Sequence, residues 1–161
     1  MNKICIGKVI TTHGIKGEIR ILSDLPNKDV LFKIGNIFFI DNDELIVKSY
    51  RVHKGYDMVT FEGINDINEV LKYKNKLVYL NRDTLDIGDN DYLITDLIGL
   101  DIIFNDDFCG KIEDYMYNSS NYLLVINNNS KNYYIPLNDY FIKKVSLTEK
   151  KVYVENIKDL I

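Results

Sequence analysis

The chain has 161 residues, of which 46% are hydrophobic and 27% are charged, and its formal net charge is −4. This composition excludes a disordered chain, and the lack of an apolar run of about 18 residues argues against a membrane span. The negative charge argues against general binding of nucleic acids, because such binding depends on neutralising phosphates. Cys5 and Cys109 lie far apart with no histidine cluster beside them, so we expect reduced, buried thiols in a cytoplasmic protein, and neither a disulfide nor a zinc site or other metal site.

The first half of the chain predicts short strands separated by turns. Alternating hydrophobicity and Gly, Asn or Asp punctuation predict strands over 3–10, 17–23, 36–41, 44–53, 57–63 and 76–82. The pair 44–53 and 57–63 predicts one long hairpin that folds back at Lys54 and Gly55, where glycine can adopt the positive φ that a tight turn needs.

One short helix is predicted between the last two of these strands, within NDINEVLKYKN (65–75). Asp66 and Glu69 have the spacing of a capping box. Ile67, Val70 and Leu71 then recur at helical spacing, which predicts that they share one buried face.

A polar, acidic break at 83–91 is predicted to be a linker, and it coincides with a change in charge. Residues 1–87 carry 13 basic and 12 acidic side chains, a net of +1, whereas residues 88–161 carry 7 lysines and 12 acidic side chains, a net of −5. Five or six short strands are predicted after the break, with hairpin turns in 127–132 and 147–151. The sequence therefore predicts a mainly β fold of two small β-barrels joined by a short linker, with domains at 1–87 and 91–161.

The segment HGIKGEIRI, residues 13–21, combines glycines with basic side chains. Gly14 and Gly17 lie between two strands and are typical of a barrel corner. A phosphate cradle at a helix N-terminus is disfavoured because no helix follows. Lys16 and Arg20 are four residues apart in an alternating strand, so we expect them on one face, either as part of an RNA-binding patch or as ordinary surface charge.

His53 and Lys54, at the tip of the long hairpin, would add to the same patch if the hairpin lies beside the strand that carries Arg20. The sequence does not show which strands are neighbours. Any RNA contact must come from such a local patch in the first half, while the acidic second half suits a basic protein partner.

A catalytic alternative uses Cys5 as a nucleophile and His13 as its base, which would require the two side chains to be in contact. Cysteines in strands are more often buried filler. No GxSxG segment, P-loop or dinucleotide fingerprint is present.

Three segments together resemble the bacterial RimM family of ribosome maturation factors in order and spacing. They are GKVITTHGIKGEIRI (7–21), RVHKGYDMVTFEGINDINEVLKYKNKLVYLNRDTL (51–85) and YLITDLIGLDI (92–102), the last followed by YIPL (134–137). The resemblance covers nearly the whole chain. It implies an elongation-factor-like β-barrel with one short helix over 1–87 and a PRC barrel over 91–161.

The resemblance also implies a function and a set of partners. It implies a non-enzymatic, cytoplasmic assembly factor, expected to be a monomer, that binds the head of the small ribosomal subunit and promotes 16S rRNA processing. The implied partners are the head protein numbered nineteen and nearby 16S rRNA, with no cofactor and no membrane. A PRC-barrel adaptor with an unrelated protein client is a further hypothesis.

The family motifs place the implied functional residues at definite positions in this chain. The expected contacts with rRNA or the subunit are His13, Lys16, Arg20, His53 and Lys54, and the turn glycines are Gly14, Gly17 and Gly55. The family's tyrosine pair, expected to bind a partner or to lie between the domains, is Tyr92-Leu93 here, so the second hydroxyl and ring are missing.

Overall fold

The computed structural model describes residues 1–87, 91–118 and 121–161, and it divides into two compact units. The first unit is Met1–Ile87, and the described residues of the second are 91–118 and 121–161. Both are built mainly from β-strands, which confirms the predicted fold class. In the described ranges, no helix is long and apolar enough to cross a membrane.

Six antiparallel strands close into a barrel in the first unit. They are β1 (Lys3–His13), β2 (Glu18–Leu22), β3 (Ile37–Ile40), β4 (Asp43–His53), β5 (Tyr56–Phe61) and β6 (Leu77–Asn81). Their order around the barrel is β1, β2, β5, β4, β3, β6. Because side chains alternate between the two faces of a strand, Ile19 and Ile21 of β2 point inward with Val59 of β5, and all three are fully buried. The residues between them lie on the outer face.

The short helix predicted between β5 and β6 is present as two 3-10 turns, Ile67–Glu69 and Leu71–Tyr73, but the predicted buried face of Ile67, Val70 and Leu71 is wrong. With three residues per turn rather than 3.6, positions i and i+3 align. Val70 and Tyr73 are therefore buried, whereas Leu71 is 51% exposed.

The capping residues nevertheless act at the start of this segment. The Asp66 carboxylate accepts from the Asn68 amide at 2.9 Å, and the Glu69 carboxylate accepts from the Asn65 amide at 3.2 Å. Polar caps therefore fix where the first turn begins.

A single turn of α-helix, α1 (Lys28–Leu31), lies between β2 and β3 and was not predicted. It follows Asn27, which has a φ of 63°, and it buries Leu31. One turn is too short to give a periodic signal in the sequence.

The described residues of the second unit form six further strands in one sheet. They are β7 (Asp101–Phe104), β8 (Asp107–Asn118), β9 (Asn121–Asn128), β10 (Lys131–Pro136), β11 (Ile142–Ser146) and β12 (Lys151–Val154), preceded by a 3-10 turn at Ile94–Leu97. The order across the sheet is β10, β9, β8, β7, β12, β11. β9 and β10 turn at Asn129 and Ser130, and β11 and β12 turn at 147–150, as predicted. Part of the predicted linker, residues 88–90, lies outside the described residues.

A candidate nucleic-acid interface on the first barrel

The turn between β1 and β2 contains the two glycines of the HGIKGEIRI segment. Gly17 has a φ of +95°, and a Cβ there would lie 2.9 Å from Ile64 Cγ2 and 3.4 Å from the backbone oxygen of Asp66. Gly14 has a φ of +69°, with no atom within 4 Å of its Cβ position. Gly17 is therefore required both by its backbone conformation and by the close approach of the neighbouring segment.

The turn between β4 and β5 has only two residues, Lys54 and Gly55. Their φ values are 52° and 81°, and His53 pairs with Tyr56 across the hairpin. Positive φ at both central positions is the geometry that suits the right-handed twist of a two-residue hairpin. The turn fixes the position of His53 and exposes Lys54.

β5 is paired with both β2 and β4, and the registers set Arg20 and Arg51 on either side of the same residue, Met58. The pairing places six polar side chains from four strands on one outer face. They are His13 of β1, Glu18 and Arg20 of β2, Arg51 and His53 of β4, and Tyr56 of β5. His13 and His53 are forty positions apart in the sequence. The structure brings them together, with a distance of 5.4 Å between their ring centroids.

Arg20 joins this group through two contacts. Its Nη2 lies 3.2 Å from His13 Nδ1, and its guanidinium lies over the Tyr56 ring, 5.1 Å from the centroid. Cation–π contact and a hydrogen bond to the imidazole both restrict the side chain. We call His13, Arg20, His53 and Tyr56 the imidazole cluster.

The Arg51 side chain beside the cluster is paired with an acid. Its Nε and Nη2 donate to the two carboxylate oxygens of Glu18 at 3.0 Å and 2.8 Å. That hydrogen bond holds the pKa of Glu18 below its ordinary value against the opposing effect of burial, and the Glu18 carboxylate in turn raises the pKa of Arg51. Burial, followed by the positive charges of Arg51 and Lys54, lowers the pKa of His53.

Lys16 lies in the β1–β2 turn and not in a strand, so the alternation that was expected to align it with Arg20 does not apply. Its side chain is exposed, as is that of Lys54. Lys16 lies in the turn that follows His13, and Lys54 directly follows His53. The face therefore combines two exposed ammonium groups with a partly buried guanidinium and two imidazoles.

A second polar cluster, inside the same barrel, was missed by the sequence analysis. Asp57 is only 4% exposed, accepts from Tyr50 Oη at 2.6 Å and lies 2.5 Å from Lys28 Nζ. Lys28 also donates to the Ser23 carbonyl at 2.7 Å, and the Tyr50 ring stacks on Phe32. Burial and the neighbouring carboxylate raise the pKa of Tyr50. An acid within an otherwise apolar strand was the only sequence signal.

The geometry contradicts the catalytic alternative. Cys5 and His13 are eight residues apart along the single strand β1, which at about 3.3 Å per residue separates them by more than about 20 Å. A nucleophile and its base must be within hydrogen-bonding distance. The expectation of buried thiols is also wrong, because Cys5 is exposed and Cys109 is partly exposed. Within the described part of the chain, no three His, Cys, Asp or Glu side chains are grouped as metal ligands.

Tyr92 and Leu93 begin the described part of the second unit's fold. Leu93 is 3% exposed and its amide donates to the Asp96 carboxylate at 2.8 Å, so its side chain serves packing and presents almost no surface. Tyr92 is partly buried, and burial, followed by the charge of Asp139, raises its pKa. Of the pair, only Tyr92 retains accessible surface.

Two family models match the chain and together cover most of it. The model described as the RimM N-terminal domain matches residues 4–85, and the one described as the RimM PRC barrel domain matches residues 94–160. Similar proteins named ribosome maturation factor RimM occur in Staphylococcus haemolyticus strain JCSC1435, with 33% identity over 97% of each chain, and in Staphylococcus aureus strain bovine RF122 / ET3-1, with 36% identity over 99% of each chain.

Two solved structures are also similar. A 16S ribosomal RNA processing protein RimM from Pseudomonas aeruginosa aligns with 18% identity and a TM-score of 0.48, over 99% of this chain and all of that one. The N-terminal domain of RimM from Thermus thermophilus aligns with 16% identity and a TM-score of 0.46, over 54% of this chain and 98% of that one.

Proposed function

Because this chain belongs to the RimM family of ribosome maturation factors, we propose that it binds the head of the small ribosomal subunit and promotes its maturation and 16S rRNA processing. It catalyses no reaction of its own and acts in the cytoplasm as a monomer. Its partners are the head protein numbered nineteen and the adjacent 16S rRNA. By binding the assembly-competent arrangement of these partners more tightly than misfolded ones, it raises the population of the productive state.

The observation that carries the rRNA side of the proposal is the convergence of basic groups on one outer face of the first barrel. His13 contacts both Arg20 and His53 there, and Lys16 and Lys54 are exposed on the turns that follow the two histidines. Backbone phosphates are bound mainly by such Lys and Arg side chains. Arg51 contributes less, because its charge is compensated by Glu18.

The second unit is assigned to the protein partner. Residues 88–161 carry a net charge of −5, which complements a basic ribosomal protein and steers its approach. Tyr92 supplies aromatic surface, and Leu93 supports it from within the fold.

The rRNA assignment is tested by replacing Lys16, Arg20 and Lys54 together with alanine. Each lost phosphate contact should reduce the slope of log affinity against log salt by about 0.7–0.9, so the triple variant should bind small subunits more weakly, with a slope smaller by about 2 if all three lysine and arginine contacts are made. Binding of tagged protein to purified subunits at several salt concentrations measures both quantities.

A matched control removes three other exposed cations of the same unit. Lys33, Lys72 and Lys76 lie within 4 Å of Asp86, Asp43 and Asp41, and replacing them with alanine changes the net charge by the same amount. The control should leave the salt slope unchanged. Equal slopes for the two triple variants would contradict the assignment, and recovery of no small-subunit particles by the wild type would contradict the proposed function as a whole.

A further inference from the structure

The contact between Arg20 and His13 fixes the protonation of the imidazole. Arginine stays charged and has only hydrogen-bond donors, so in the 3.2 Å contact between Arg20 Nη2 and His13 Nδ1 the imidazole nitrogen must accept. His13 is therefore neutral in this arrangement, with its proton on Nε2. A proton on Nδ1 would set two donors against each other unless an acceptor came between them.

On the same edge of the Arg20 guanidinium, the Nε group lacks a partner. This nitrogen is buried and, among the residues that the structure describes, no atom accepts a hydrogen bond from it. The Nε–Nη2 edge is the one on which arginine binds an oxyanion through two hydrogen bonds. Arg51, on the same face, shows that geometry filled by the Glu18 carboxylate. Arg20 thus presents an oxyanion-binding edge that only a neutral imidazole occupies.

The charges around the two imidazoles are predominantly positive. His13 and His53 face each other at 5.4 Å, with Arg20 and Glu18 on β2, Arg51 on β4, Lys54 in the hairpin turn and Tyr56 on β5. The one acid of this set, Glu18, is engaged by Arg51. Protonation of His53 is disfavoured here, consistent with the lowered pKa that burial and these cations cause. An anion would reverse that balance and favour both imidazolium ions.

We propose that His13, His53 and Arg20 form a binding site for one RNA backbone phosphate, and that the phosphate binds together with protons on the imidazoles. A phosphate oxygen accepts from Arg20 Nη2 and from protonated His13 Nδ1, replacing the present contact between them, while the His53 imidazolium adds a second charge. This site rests on the proposed function, which supplies RNA as the source of the phosphate. Because the complex holds more protons than the free protein, affinity rises as pH falls.

The anion site is tested directly by nuclear magnetic resonance on the full chain. His13 and His53 are the only histidines in the chain, so every imidazole Cε1–H signal reports on the cluster. Titrations in inorganic phosphate and in chloride at equal ionic strength should differ, with both histidine midpoints higher in phosphate. A rise of about one pH unit corresponds to about tenfold tighter binding by the protonated form. Identical midpoints in the two salts would overturn the site.

The link to RNA is tested by measuring small-subunit binding between about pH 8 and about pH 6, which spans the usual histidine range. Wild-type affinity should rise about tenfold more over this interval than that of the double variant His13→Asn, His53→Gln, in which Asn keeps an acceptor for Arg20. The comparison cancels any pH response of the subunits themselves. Equal pH slopes would overturn the proton-linked site.

Two single variants separate this proposal from simple loss of charge or of folding. Lys16→Ala removes an exposed charge that is not among those lowering the pKa of His53, and it should lower affinity by the same factor at every pH. Lys33→Ala should change neither affinity nor pH slope. If the protein binds small subunits at no pH, the proposed function fails. Raised histidine midpoints in phosphate would in that case assign the anion site to a free phosphate or to another phosphate-bearing ligand. A pH response carried by RNA-free head protein alone would overturn the assignment to a backbone phosphate.

Discussion

Replacing Asp57 with asparagine tests how the first barrel tolerates a carboxylate in its interior. Asp57 is 4% exposed and holds both Tyr50 Oη, at 2.6 Å, and Lys28 Nζ, at 2.5 Å. Asparagine keeps the size and one acceptor, which can still serve Tyr50, but its amide group turns a donor towards the Lys28 ammonium. The variant therefore removes the ion pair and weakens the tyrosine bond without opening a cavity.

The magnitude follows from the environment of each partner. A hydrogen bond to a charged group contributes about 1.5–3 kcal/mol, and a bond to a neutral acceptor is roughly half as strong. The Lys28 side chain is 30% exposed, so it recovers some hydration and keeps its bond to the Ser23 carbonyl. We expect the free energy of unfolding of the first unit to fall by about 2–3 kcal/mol, well below the cost of a fully buried unpaired charge. At about 4–8 °C per kcal/mol, the Tm should drop by about 10–20 °C.

The assay must report on the first unit alone. The chain contains no tryptophan, and both histidines lie in the first unit, so urea unfolding followed by the imidazole proton signals isolates its transition. Lys33→Gln is the control, because Lys33 and Asp86 pair at 3.5 Å with 57% and 87% of their side chains exposed, and such pairs contribute at most about 1 kcal/mol. A loss for Asp57→Asn no greater than that of the control would refute the reasoning.

Two further changes probe the neighbouring face. Gly17→Ala should destabilise the first unit by about 1–3 kcal/mol, because Gly17 has a positive φ. The loss should exceed that of Gly14→Ala, since only at position 17 does the new Cβ meet Ile64 and the Asp66 backbone. Equal losses of Tm in the two variants would contradict this. Glu18→Gln should lower the Tm at neutral pH, with a difference from wild type that shrinks as pH falls. The Arg51 hydrogen bond holds the pKa of Glu18 below its ordinary 4.5. The carboxylate therefore stabilises the fold above that pH and loses its contribution as pH falls through the lowered pKa. A Tm difference between wild type and variant that stays constant from about pH 6 to about pH 3 would exclude this.

The patterns that local sequence encodes were predictable from the sequence. Alternation of apolar and polar residues marked the strands of the first barrel, because successive side chains of a strand point to opposite faces. Glycine and asparagine marked the turn at Lys54 and Gly55 and the turn at Asn129 and Ser130, because these positions need positive φ. The segments quoted from 7–21 and 51–85 identified the family, which the family models and similar proteins confirm.

Local periodicity does not determine which strands become neighbours or how a short segment is wound. The parallel pairing of β12 with β7 joins strands fifty positions apart, and the segment after β5 adopts 3-10 geometry although its apolar residues recur at α-helical spacing. The Asp57 cluster depends on α1, a single turn with no periodic signal, which brings Lys28 to the barrel interior.

The sequence by itself determined that this protein is a two-part β fold of a recognisable family with basic residues near two turns. Only the tertiary structure decided that these residues form one site. Closing the barrel in the order β1, β2, β5, β4 places β5 between the two basic strands, so that His13 and Arg20 meet His53 on one face. The same closure puts Cys5 at the far end of β1 from His13. Contacts of this kind arise from pairing between distant strands, and no local pattern in the chain records them.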